Sequence, residues 1–116
     1  MDAFVRRLVE NLLVEERPLS RNRHFHTFET PEGRSALRIA RRLGALRKSV
    51  LLCAAEGGDV QLGEKGPPDT GARRELRIAR AGGNHRAYLS EDELALLRAL
   101  PGVGEAMAAA AARPGR

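Results

Sequence analysis

Residues 31–62 read PEGRSALRIARRLGALRKSVLLCAAEGGDVQL, and how far a helix runs through them decides the fold. Thr30 places a hydroxyl where a helix needs a cap, Pro31 suits the first helical position, and Glu32 sits at the positive end of the dipole. At about 100° per residue, Ala36, Ile39, Ala40, Leu43, Leu46 and Val50 share one side, which predicts a helix over about 31–48. The run Val50–Ala54 that follows is short and continuously apolar, as an interior strand is. Gly57-Gly58-Asp59 then gives a turn signal before Val60–Leu62. The expectation is a hairpin over about 50–62.

Upstream, Asp2 can cap a helix over about 3–16, where Phe4/Val5, Leu8/Val9 and Leu12/Leu13 recur every four residues until Pro18. Segment 21–29, RNRHFHTFE, alternates enough to predict a short strand. Downstream, GEKGPPDTGA at 63–72 predicts a loop. Leu76 and Ile78 then alternate with Glu75, Arg77 and Ala79, and Gly82-Gly83-Asn84 turns the chain into His85–Leu89, a second hairpin over about 73–89. Ser90 with Glu93 forms a capping-box pattern ahead of Leu94, Leu97 and Leu100, which predicts a third helix over about 91–100. The alanine-rich residues 106–116 lack large apolar side chains beyond Met107 and are expected to fray. The fold class is therefore α+β: one small domain over 1–105, with an antiparallel sheet from two hairpins packed with three helices.

Composition narrows the function. A chain of 116 residues suits one ordinary domain. Three Phe, one Tyr and no Trp leave the core to Leu, Val, Ile and Ala. Twenty Lys and Arg, nearly all arginine, outnumber fifteen acids for a formal charge of +5. That excess is local. Residues 17–48 hold nine cations and two acids, net +7, so the rest of the chain is net −2.

Within that segment, Arg34, Arg38, Arg41, Arg42 and Lys48 fall in an arc of about 120° opposite the apolar side of the predicted helix. No acid stands four residues from any of them, so pairing along the helix does not explain the stripe. Guanidiniums a turn apart can follow a phosphate backbone, each contact releasing counterions, and Arg21 and Arg23 add to the same basic segment. The same face suits an acidic protein surface, and a merely solvated face is the plain alternative.

Leu97-Arg98-Ala99-Leu100-Pro101-Gly102-Val103-Gly104, followed by Ala108, resembles the helix-hairpin-helix motif of sequence-independent DNA-binding proteins. The resemblance covers residues 94–110. It implies that Gly102, Val103 and Gly104 turn their amides toward a phosphate. Glycines permit close approach, and amides at a helix start attract anions. Glu105 stands where the motif usually has a neutral or basic residue, and the helix that follows is polyalanine where the motif has a larger aliphatic. The same residues also make an ordinary helix stop.

Few other residues suggest chemistry. His24 and His26 share a strand-like spacing and His85 lies in a hairpin, but lone Cys53 sits in an apolar run, so neither a metal nor another cofactor is expected. Phe25 and Phe28 could stack bases, although a chain with so few aromatics has more use for them in its core. No nucleophile has a recognisable context and no phosphate-binding loop precedes a helix, so an enzyme is not expected. The opening residues lack a signal-peptide pattern and no apolar run nears bilayer length, which points away from a membrane and to the cytoplasm. Two functions remain as expectations: sequence-independent nucleic-acid binding, or a small adaptor or regulator that docks an acidic partner protein. A homodimer through the first helix is one use of that helix's apolar face.

Overall fold

The computed structural model describes residues 2–15, 30–65 and 73–111. Its elements are α1 (Ala3–Glu15), α2 (Pro31–Ala55), β1 (Asp59–Lys65), β2 (Arg74–Arg80), β3 (Gly83–Leu89), α3 (Glu91–Ala99) and α4 (Val103–Ala111). Four helices and an antiparallel sheet in the order β1-β2-β3, counted among the described residues, make the expected α+β fold. Two compact units, Met1–Ala45 and Leu46–Arg116, divide the chain, and α2 runs through the division.

In the first unit, the Asp2 carboxylate accepts from the amides of Phe4 at 2.7 Å and Val5 at 3.3 Å, so the expected cap starts α1. Val5 and Val9, one turn apart, are buried. The Thr30 hydroxyl accepts from the Gly33 amide at 3.0 Å, and Arg34 N–H donates to the Thr30 carbonyl, which fixes the first turn of α2. Ala36, Ala40 and Leu43 are buried along this part of the helix.

The expected strand at Val50–Ala54 does not form, and neither does the 50–62 hairpin; α2 continues through these residues to Ala55. The reason is periodicity. Buried positions run Ala36, Ala40, Leu43, Leu46, Val50, Cys53, spaced three or four apart without a break, and Leu51, Leu52, Ala54 and Ala55 are good helix formers. A short apolar run read by itself cannot distinguish a strand from a buried helix. The Gly57-Gly58 signal is the helix's own stop. Gly57 has φ 80°, its amide donates to Ala54 O at 3.3 Å, and Gly58 N–H donates to Cys53 O at 2.8 Å, the two bonds of a Schellman cap.

In the second unit, β1 pairs with β2, not with residues 50–54. Val60 lies opposite Ile78 and Leu62 opposite Leu76, with a register irregularity between Leu62 and Lys65. The 63–72 loop expectation therefore fails at 63–65, which are strand; the Arg74 guanidinium donates to the Gly63 carbonyl across this irregular stretch. Residues 66–72 lie outside the described residues. The expected second hairpin forms: Leu76 faces Ala87 and Ile78 faces His85, across a two-residue turn at 81–82.

Val60, Leu76, Ile78, Ala87 and Leu89 make the sheet's buried face. Helix α3 starts at the expected capping box, in which Glu93 N–H donates to Ser90 Oγ at 3.2 Å and Ser90 N–H to Glu93 Oε1 at 2.9 Å. It packs on β3 and α4, and α4 packs on β1. The fraying expected from residue 106 does not hold through 111: α4 is helical to Ala111, and Val103, Ala106 and Ala110 are buried. Small side chains serve here because they let a helix lie close to its neighbours. No helix among the described residues is long and apolar enough to cross a membrane.

Candidate functional site

The cationic face is set by the helix that carries it. Because α2 buries Ala36, Ala40, Leu43, Leu46 and Val50, the positions between them turn outward: Arg34, Arg38, Arg41 and Lys48 are exposed and Arg42 is half-buried at the flank. Arg34 and Arg42 each take part in an interaction within the chain. No carboxylate among the described residues pairs with Arg38, Arg41 or Lys48. Arg34 to Arg42 belong to the first unit and Lys48 to the second. Arg21 and Arg23, with His24 and His26, lie outside the described residues.

The Pro-Gly turn lies in the second unit and joins α3 to α4. Leu100 is extended, with φ −69° and ψ 144°, and donates to Leu97 O at 3.1 Å. Gly102 has φ 84°, in the left-handed region that favours glycine, and its carbonyl accepts the Ala106 amide at 3.0 Å to start α4. A side chain there would also press on Leu51 Cδ2 at 3.2 Å. Val103 N–H donates back to Leu100 O at 3.2 Å, so that amide is used within the turn, and Gly104 and Glu105 after it are exposed. Arg47 Nε donates to Pro101 O at 3.2 Å, bringing a guanidinium to the turn. Sequence reasoning passed over Arg47, which lies on the flank of α2 between the cationic and apolar sides and is half-buried.

A third cluster, on the outer face of the sheet, escaped the sequence altogether. The register puts Glu75 opposite Tyr88 and Arg77 opposite Arg86. The Glu75 carboxylate accepts from Arg77 Nε and from Tyr88 Oη, the latter at 3.0 Å. Its acidity reflects that setting. The Arg77 hydrogen bond, aided by Tyr88 and by the charges of Arg77 and Arg86 against some desolvation, holds Glu75 below the usual carboxylate range. Arg77 is raised in turn, by the hydrogen bond with Glu75 first and then by its charge. The available signal was period-two alternation, which places residues 75 and 77 on one face; which β3 residues lie opposite them follows from the turn geometry.

At the far end of β2, Arg80 donates to both oxygens of Glu56, at 3.0 and 3.4 Å, tying that strand to the residue after α2. Next to this pair, a shallow open cavity is lined by Gly57, Gly58, Asp59, Ala79 and Ala81. Cys53 is buried in a helix, not in a strand, and its thiol faces the carbonyls of Ala79 at 3.4 Å and Asp59 at 3.5 Å. His85 is exposed on β3, and among the described residues no three His, Cys, Asp or Glu side chains gather as a metal site would require.

Comparison with protein-family models, with curated proteins and with solved structures finds no match for the chain.

Proposed function

We propose that the protein is a non-enzymatic, sequence-independent nucleic-acid binder that works in the cytoplasm and grips phosphates with the arginine face of α2. The observation that carries this reading is the exposure of Arg34, Arg38 and Arg41 along the first-unit part of α2, with no carboxylate among the described residues paired to Arg38 or Arg41. A charged face that only kept the protein in solution would do as well with both signs interspersed. Cations on successive turns rise about 1.5 Å per residue, so Arg34, Arg38 and Arg41 span about 10 Å, enough to meet more than one phosphate of a backbone. Arg21 and Arg23 extend the basic segment in sequence, and the turn at Gly102 and Gly104, with its helix-hairpin-helix resemblance and Arg47 beside it, supplies a second candidate phosphate contact.

The test is a titration of labelled duplex and single-stranded oligonucleotides, read by fluorescence anisotropy at two salt concentrations. The proposal expects binding that is indifferent to sequence and weakens steeply with salt. Affinity weaker than about millimolar at low salt would end it, because even non-specific binders do better. Binding to polyglutamate in place of nucleic acid would reassign the face to an acidic protein partner.

A further inference from the structure

On the outer face of the sheet, Arg77 and Arg86 stand directly opposite each other on neighbouring strands, beside Tyr88, which is 49% exposed. Like charges placed opposite one another across a strand pair destabilise it. Glu75 is hydrogen-bonded to Arg77 and to Tyr88 Oη, whereas its charge reaches Arg86 only through space, with no hydrogen bond. Arg86 is exposed, and no carboxylate among the described residues pairs with it. Gln61, opposite Arg77 on β1, and Asn84 on β3 complete an exposed polar surface around the ring. This surface has the parts for one class of ligand. An anion beside Arg86 relieves the cross-strand repulsion, and an aromatic ring next to it accepts a flat π-system by stacking. The Glu75 hydrogen bond fixes the phenol at one end, so little side-chain freedom is lost when a ring docks on it.

We infer that the outer face of the sheet is a stacking site for single-stranded nucleic acid, in which Tyr88 takes an unpaired base and Arg86 the adjoining phosphate. The inference rests on the nucleic-acid reading above and sharpens it, since a base can reach Tyr88 only when it is unpaired. Arg77 and Glu75 are positioning residues that hold the phenol. An acidic peptide would use Arg86 but brings no flat base to stack on the exposed ring.

The chain contains one tyrosine and no tryptophan, so its intrinsic emission reports Tyr88 alone. The experiment titrates the whole protein with oligo-dT and with a duplex of equal length, following labelled-DNA anisotropy and tyrosine emission together. The expected result is quenching of Tyr88 by oligo-dT and not by duplex. Y88A should lose about tenfold in oligo-dT affinity with duplex affinity unchanged, and Y88F, which keeps the ring but not its hydrogen bond to Glu75, should fall between Y88A and the parent. R86Q should weaken oligo-dT binding and lower the salt slope by about one. Circular dichroism confirms that each variant is folded, and Y88F keeps the ring if Y88A does not fold. Anisotropy binding of oligo-dT with unquenched Tyr88, or with Y88A binding as tightly as the parent, overturns the stacking site and leaves the arginine-face reading standing. Binding to duplex alone also overturns it. No binding to either DNA overturns both, and quenching by polyglutamate without oligo-dT binding assigns the face to an acidic protein.

Discussion

The two exposed cationic surfaces, the arginine face of α2 and the outer face of the sheet, use the same side chain in opposite ways. On α2, Arg38 and Arg41 stand a turn apart with no carboxylate among the described residues paired to either, whereas on the sheet Arg77 is hydrogen-bonded to Glu75 and its cross-strand neighbour Arg86 is not. The difference teaches what an arginine excess can be for. A guanidinium locked to a carboxylate orients a neighbour, here the phenol of Tyr88; a guanidinium with no such partner adds to the field that draws a polyanion.

Charge reversal breaks the comparison most strongly. R34E/R38E/R41E should reduce affinity for any oligonucleotide on the order of a hundredfold at low salt, because attraction becomes repulsion at three positions. Anisotropy with duplex and single strands checks it, and equal loss on both distinguishes this face from the Tyr88 surface. A substitution that attacks only the second unit comes next. A Cβ on Gly58 would fall 2.4 Å from the Ala79 carbonyl and 2.7 Å from Cys53 Sγ, where the obstruction includes backbone that cannot swing aside. Gly58→Ala should cost about 1–3 kcal/mol of stability in urea unfolding, the usual range for overpacking.

Ser90→Ala removes one half of the capping box of α3 and should cost about 1 kcal/mol by the same assay. The smallest effect concerns Glu75. Its folded pKa is lowered, so its stabilising contribution is complete above the ordinary carboxylate value and fades as pH falls through the folded value. Tyrosine emission should therefore change with acid below the ordinary carboxylate range, as the carboxylate that holds Tyr88 is protonated, and the E75Q variant should lack that step.

Much of this was legible in the sequence because local rules were sufficient. Asp2, Thr30 and Ser90 each cap the helix they were expected to cap, since a side chain two or three residues from an amide needs no tertiary context. The second hairpin followed from alternation at Leu76 and Ile78 and from the glycines after Arg80. Residues 50–55 were misread for a physical reason: every position there is apolar, so the local pattern contains no period, and only the spacing inherited from Ala36 to Leu46 shows that the helix continues. Gly57-Gly58 compounded the error, because a helix stop and a hairpin turn ask for the same residue.

The candidate site divides along the same line. The arginine face of α2 could be read directly, because one helix both buries its apolar side and displays the other. Arg47 beside Pro101 could not, since 54 positions of chain separate the partners. Nor could the Tyr88 cluster, whose members come together only once β2 and β3 settle in register. Residues 21 and 23 lie outside the described residues, so their part in the basic segment rests on sequence alone.

The central claim is that cations on α2 contact phosphates, and the salt dependence of binding tests it most directly. Affinity of the parent and of R38Q/R41Q for one single-stranded oligonucleotide, measured across a range of salt, yields the slope of log affinity against log salt. The account predicts a slope shallower by about two in the variant, one for each phosphate contact removed. An unchanged slope would contradict it, whatever the affinity.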